Sequence, residues 1–157
     1  MTFADSLAQG AKAEKRAIAA FNRAGWCCIA HGAARMGQVQ MPLISPSGQK
    51  LSTDFVCFRG ADYIFAEIKS KCPLDRGGFG LDLAQWRTLL EHENSLTGRT
   101  LVIIENRAAD KLVAARVTDL QAAPSELSRS GFYIFFSEDC FRPLAEFLEG
   151  ENARNEH

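Results

Sequence analysis

From Phe3 to Ala24, large apolar residues at Leu7, Ile18 and Phe21 recur among alanines and charged residues, and the run stops at Gly25. Recurrence at helical spacing closed by a glycine predicts one amphipathic helix. Trp26–Ala30 is apolar and suits a strand, His31–Gly37 contains glycines and predicts a loop, and Gln38–Ile44 leads into a Ser-Pro-Ser-Gly turn at Ser45–Gly48. Leu51–Phe58 and Tyr63–Lys69 are strand candidates separated by Arg59-Gly60-Ala61-Asp62, the spacing of an antiparallel hairpin. Cys72–Gly80 holds Pro73, Gly77, Gly78 and Gly80 and predicts a loop with the glycine content to move.

Helical spacing resumes over Leu81–Asn94, and Thr100–Asn106 (TLVIIEN) is a short, almost wholly apolar strand. Leu112–Val117 and Phe132–Phe136 predict further strands, Phe141–Glu149 predicts a short helix, and the polar residues after Gly150 predict a fraying end. The order helix, three strands, helix, strand predicts a mixed α/β fold around one central sheet. We expect a single domain over residues 1–150 and a flexible tail over 151–157.

Periodicity also says which side chains meet. Residues two apart on a strand share a face, so Tyr63, Phe65, Glu67 and Lys69 stand together, and Asp54 shares a face with Val56 and Phe58. A carboxylate among apolar neighbours needs a partner or a metal. If the hairpin sets Asp54 beside Glu67, two like charges are held close, and a divalent cation relieves that repulsion. Oxygen ligands favour a hard cation, Mg²⁺ or Mn²⁺.

Positions seven apart nearly superpose on a helix, which puts Glu14 on one stripe with Leu7 and Phe21, flanked by Ala11 and Ile18. Gln85 is similarly placed between Leu81 and Leu89. Taken singly, each has a plain explanation: a turn-capping Asp54, an exposed Glu67–Lys69 pair, a glutamate reaching for the rim, a core glutamine bonded to backbone. Together they describe three acids, a lysine and an amide aimed at one place.

Composition adds little and excludes much. The 157 residues are 46% hydrophobic and 24% charged, ordinary for a folded protein and ample for a core without staples. A formal net charge of -1 argues against a module that coats nucleic acid non-specifically, yet it leaves room for a local basic patch around an acidic centre. No stretch is apolar for the length of a membrane span and the first residues lack a secretory signal's apolar core, so a cytoplasmic protein is expected. Five cysteines, Cys27, Cys28, Cys57, Cys72 and Cys140, are odd in number and irregularly spaced, which suits reduced thiols. Cys27, Cys28 and His31 lack the spacing of a zinc site. Gly77-Gly78-Phe79-Gly80 lacks the lysine and hydroxyl of a phosphate-binding loop, and no elbow motif frames a serine or cysteine nucleophile.

The ordered set Gly10-x-x-x-Glu14, Asp54, Glu67-Ile68-Lys69 and Gln85 resembles the PD-(D/E)xK nuclease superfamily. Within it, the runs GAKAEKRAIAAFNRAGW, TDF and AEIKSK look most like the archaeal-type Holliday-junction resolvases and related phage nucleases, over roughly the first two-thirds of the chain. Thr53 stands where the superfamily usually has proline, a departure that removes no catalytic group.

The resemblance implies a restriction-endonuclease-like core, a central mixed sheet flanked by helices in αβββαβ order. It implies a metal-dependent DNA nuclease with Glu14, Asp54, Glu67, Lys69 and Gln85 as catalytic residues. Asp54, Glu67 and the Ile68 carbonyl would hold Mg²⁺ or Mn²⁺, Glu14 would place a second metal or its waters, Lys69 would orient or deprotonate the attacking water, and Gln85 would steady the lysine or the phosphate. Lys71, Arg76, Arg87 and Lys12 are the expected contacts to the DNA backbone, with Lys15 and Arg16 also flanking Glu14. Branched or duplex DNA is the expected partner, and a homodimer is expected if the substrate is a four-way junction, which needs paired cuts. The alternative is a module of the same fold that binds DNA or another partner without cleaving.

Overall fold

The computed structural model describes residues 2–30, 43–48, 50–51, 53–96 and 99–154. The loop expected at His31–Gly37 and most of the segment Gln38–Ile44 lie outside the described residues. Helix α1 (Phe3–Arg23) opens on a reciprocal cap: the Thr2 hydroxyl accepts the Asp5 N–H at 3.2 Å and the Asp5 carboxylate accepts the Thr2 N–H at 2.8 Å. It closes at Gly25, whose φ of +85° reverses the chain as glycine does just beyond a helix. Its buried face is Ala13, Ala17 and Phe21; Leu7, expected on that stripe, is 49% exposed.

Strands β1 (Cys27–Ala30), β2 (Leu43–Ile44), β3 (Lys50–Leu51), β4 (Phe55–Arg59) and β5 (Asp62–Lys71) follow. The run expected as one strand, Leu51–Phe58, is thus split: β3 pairs with β2 in a separate small ladder and β4 pairs with β1 and β5. The β4–β5 hairpin is closed by Gly60 and Ala61, and Gly60 at φ +60° takes the first central position, where the mirror-image turns that match strand twist favour glycine.

Beyond the hairpin come β6 (Phe79–Asp82), α2 (Leu83–Leu96), β7 (Thr100–Asn106), β8 (Lys111–Arg116), α3 (Val117–Ala122), β9 (Ser125–Leu127), β10 (Tyr133–Phe136), β11 (Arg142–Pro143) and α4 (Leu144–Arg154). The principal sheet runs β1-β4-β5-β7-β8-β11, antiparallel except for the parallel pair β5–β7, and β6-β10-β9 form a second sheet. This is the expected mixed α/β architecture.

The helix expected from Leu81 begins two residues later because Leu81 and Asp82 belong to β6, opposite Ile134 and Tyr133. Asp82 then caps α2 by accepting the Ala84 and Gln85 N–H groups at 2.9 and 3.1 Å. The loop expected over Cys72–Gly80 is shortened by the same strand, and Gly80 lies under the Phe135 ring.

Alternation along β4, β5 and β7 sorts the core into two layers. Phe55, Cys57, Ile64, Ala66, Ile68, Leu101 and Ile103 face α1 and α4, while Val102 and Ile104 face α2, α3 and the small sheet. Strand β7 is buried on both sides, which explains its nearly continuous apolar sequence. Each fully buried aliphatic side chain here contributes roughly 1.5–3 kcal/mol. Helix α4 continues past Gly150, where fraying was expected, because Glu151 is buried and paired with Arg116 of β8. The cysteines are all free thiols. No helix among the described residues is long and apolar enough to cross a membrane.

Candidate active site

The β4–β5 register pairs Phe55 with Ala66, so its next step sets Asp54 across from Glu67. Asp54 stands just before β4 begins, free of the ladder, and its carboxylate turns to accept the Ile68 N–H at 2.7 Å. A strand residue's N–H and C=O leave from the same edge. The Ile68 carbonyl therefore also faces the edge that β4 has vacated, beside Asp54. Thr53 is buried and its hydroxyl donates to the Phe55 carbonyl at 3.2 Å.

Phe55 and Ala66 belong to the layer under α1, so alternation puts Glu67 and Lys69 on the α2 side. Glu67 is only 5% exposed. Burial, and then the Asp54 charge, push its carboxyl up from 4.5 to about 6, against the opposing pull of Lys69. The Lys69 ammonium meets Glu67 Oε1 at 2.8 Å, and the Gln85 side-chain amide donates to that same oxygen from α2. Lys69 and Gln85 thereby orient Glu67 through one carboxylate oxygen.

The donor set fits a hard divalent cation: two carboxylates and a carbonyl, all oxygen, one of them buried at an electrostatic cost that a cation would relieve. Among the described residues no three side chains of His, Cys, Asp or Glu gather closely enough to hold a metal. Glu14 is accordingly not clustered with Asp54 and Glu67. It is half-buried on α1, whose face Ala13–Ala17–Phe21 packs on the opposite side of the sheet. Arg16, about 200° further round the helix, reaches toward β7 and β8, where it meets Glu105 and Asp110 at 2.8 Å each. Glu14 consequently lies on the other flank of α1, toward β4 and the start that carries Asp54.

The expected DNA contacts are dispersed. Lys71 follows Lys69 on the same face of β5 and is half-buried; burial pushes its ammonium down, the Lys69 and Arg107 charges add to this, and Asp82 opposes it. Arg87 and Lys12 are exposed on α2 and α1. Arg76 is engaged elsewhere: it pairs with Glu126 at 2.6 Å and lies over the Phe135 ring on the small sheet. Arg16 is held by Glu105, itself 4% exposed and accepting the Ser70 hydroxyl at 2.7 Å, which makes Arg16 a structural cation.

Arg107 was not foreseen. Its N–H donates to the Lys71 carbonyl at 2.9 Å because β7 runs parallel beside β5, and parallel neighbours leave no mark in local sequence.

No protein-family model matches the chain, and no curated protein matches it. Among solved structures, Hjc from Archaeoglobus fulgidus, a Holliday junction resolvase from an archaeal hyperthermophile, superposes with a TM-score of 0.58 at 18% identity, covering 88% of this chain and 99% of its own. A nuclease from a fusselovirus superposes with a TM-score of 0.52 at 10% identity, covering 94% of this chain and 91% of its own. At such identities the likeness is one of fold, and that fold is the one the resemblance to PD-(D/E)xK nucleases predicted.

Proposed function

We propose that this protein is a divalent-metal-dependent DNA nuclease that hydrolyses phosphodiester bonds, with Asp54, Glu67, Lys69 and Gln85 at its centre. The observation that carries the reading is Glu67: a buried carboxylate, destabilised in its charged form by burial and by Asp54, and fixed in place by a lysine and an amide. Such an arrangement stabilises no fold by itself and suits a group that must stay ionised to bind a cation.

Asp54, Glu67 and the Ile68 carbonyl would hold Mg²⁺ or Mn²⁺. A bound cation supplies Lewis acidity, lowering the pKa of water and stabilising negative charge on phosphoryl and leaving-group oxygens. The chain's own residues do the rest. Lys69 Nζ, beside Glu67 Oε1, orients the attacking water and holds or takes up its proton. Gln85 Nε2 keeps Glu67 from turning, and Glu14 acts from the flank of α1 through intervening water. Lys71, Arg87 and Lys12 receive the DNA backbone, with Arg76 joining only if it leaves Glu126. Products are expected to carry 5′-phosphates. The fold shared with a junction resolvase makes a four-way junction the first substrate to try, in which case paired cuts call for a homodimer. A cytoplasmic setting suits the free thiols.

The test is to incubate wild type and Lys69→Ala with labelled linear duplex, single-stranded and four-way-junction DNA, with Mg²⁺, Mn²⁺ or EDTA. Metal-dependent cutting that vanishes in the variant is the expected result. A wild type that binds DNA tightly and cuts none of the three would shift the reading to a non-cleaving module, and neither binding nor cutting would end it.

A further inference from the structure

Lys69 and Lys71 are two residues apart on one face of β5, which separates them by about 6.5–7 Å along the strand. They form a row of two ammonium groups leading away from the carboxylates. Lys69 has Glu67 as its counter-ion, whereas Lys71, although half-buried, has no ion pair among the described residues. The acid that acts on it, Asp82, spends a carboxylate oxygen on the Ala84 and Gln85 amides that open α2. Arg107 adds a third positive charge that acts on Lys71 from beyond the end of β5, but its guanidinium turns to the Gln9 amide of α1 at 2.7 Å, on the other side of the sheet.

A half-buried cation crowded by other cations is unfavourable unless an anion completes the group. We propose that Lys71 is an anion site for the phosphate adjacent to the scissile one on the same DNA strand. The assignment rests on the nuclease reading for the position of the scissile phosphate. Its basis is spacing and charge: Lys69 and Lys71 are set apart by about the distance between neighbouring phosphates of one strand, and Lys71, which has no ion pair among the described residues, lies on the side of the site away from Asp54. The site would let the enzyme grip the strand on one side of the cut and fix the scissile phosphate in register with Lys69.

The test pairs DNA chemistry with mutation. A duplex or junction of mapped cleavage position is made with a single uncharged methylphosphonate at the phosphate on one side of the cut or the other. One of the two replacements should lower wild-type kcat/KM by about tenfold. Lys71→Ala should lose a similar factor on unmodified DNA and be indifferent to that same replacement, since the two partners of one contact are not additive. A wild type indifferent at both positions, or losses that add fully at both, overturns the site.

A second readout is independent of cleavage. DNA binding, followed by fluorescence anisotropy with Ca²⁺ in place of Mg²⁺, should depend on salt with a slope smaller by about one in Lys71→Ala. An unchanged slope overturns the site. A reduced slope in a protein that never cuts ends the nuclease reading and leaves the anion site standing.

Discussion

Gln85 of α2 donates its side-chain amide to Glu67 Oε1, the same oxygen that meets the Lys69 ammonium. One buried carboxylate oxygen is shared by a neutral and a charged donor, so Glu67 is oriented from the helix as well as along its own strand. Gln85→Ala removes the helix contribution and leaves Lys69 in place. We expect kcat/KM for DNA cleavage to fall by about 10- to 100-fold with the fold retained. Steady-state cleavage and circular dichroism on one preparation read both, and a loss smaller than about twofold would reduce Gln85 to packing.

Stability should record the cost of ionising Glu67. Its folded pKa of about 6 lies above the ordinary 4.5, so the folded protein keeps a proton that the unfolded chain releases between those values. The stability due to this group is full below the lower value and lost as pH rises through the higher one, a difference of about 2 kcal/mol. Glu67→Gln, which mimics the protonated form, should be more stable than wild type by up to about 2 kcal/mol at neutral pH and equal to it near pH 4. Urea unfolding in EDTA at both pH values measures this. Equal stabilities at neutral pH would mean that the carboxylate is not under strain.

Divalent metal should reverse that cost. At a hundredfold excess over its dissociation constant a ligand stabilises the folded state by about 2.7 kcal/mol, or about 5–10 °C in Tm for a chain of this size. Thermal melts with Mg²⁺ or Mn²⁺ should show such a rise in wild type and its loss in both Asp54→Asn and Glu67→Gln. A wild type indifferent to both metals would remove the metal site from the proposal.

Gly78 stands at φ +95°, and a Cβ there would collide with the Phe136 carbonyl oxygen. Backbone strain and the clash together should destabilise Gly78→Ala by about 2–4 kcal/mol, while Gly77→Ala, with φ +77° but open space around it, should lose only about 1 kcal/mol. Parallel denaturant curves distinguish the two, and equal losses would refute the close approach.

What the sequence disclosed was local. Alternation put Glu67 and Lys69 on one face and the Gly60 turn delivered Asp54 opposite Glu67, because both follow from strand period and hairpin geometry. The inward position of Gln85 was legible from Leu89, although Leu81 proved to lie on β6. Non-local facts were hidden. The Phe79–Asp82 strand has a glycine in its interior and is held by β10, more than fifty positions later, so its period could not reveal it. Arg16 reads as one more surface cation until Glu105 arrives from β7, and Arg107 reaches Lys71 only through parallel pairing. Helix periodicity alone overstated the stripe through Leu7 and Glu14, since the sheet extends under only part of α1.

Strands β4 and β5 are joined by two residues, whereas β7 reaches its place beside β5 only after the chain has passed through residues 72–99. Tight hairpins close in microseconds, and parallel pairing across a long crossover comes later. Asp54 and Glu67 should accordingly meet before α2 can bring Gln85 to them. Their repulsion then acts while the chain is still folding, and lifting it should accelerate refolding more than it retards unfolding. Stopped-flow refolding of wild type against Glu67→Gln in EDTA would read this, with a change confined to the unfolding rate as the contrary result. The topology would thereby bind the speed at which the molecule forms to the charge it carries for its chemistry, and newly made chains would mature faster where divalent cations are plentiful.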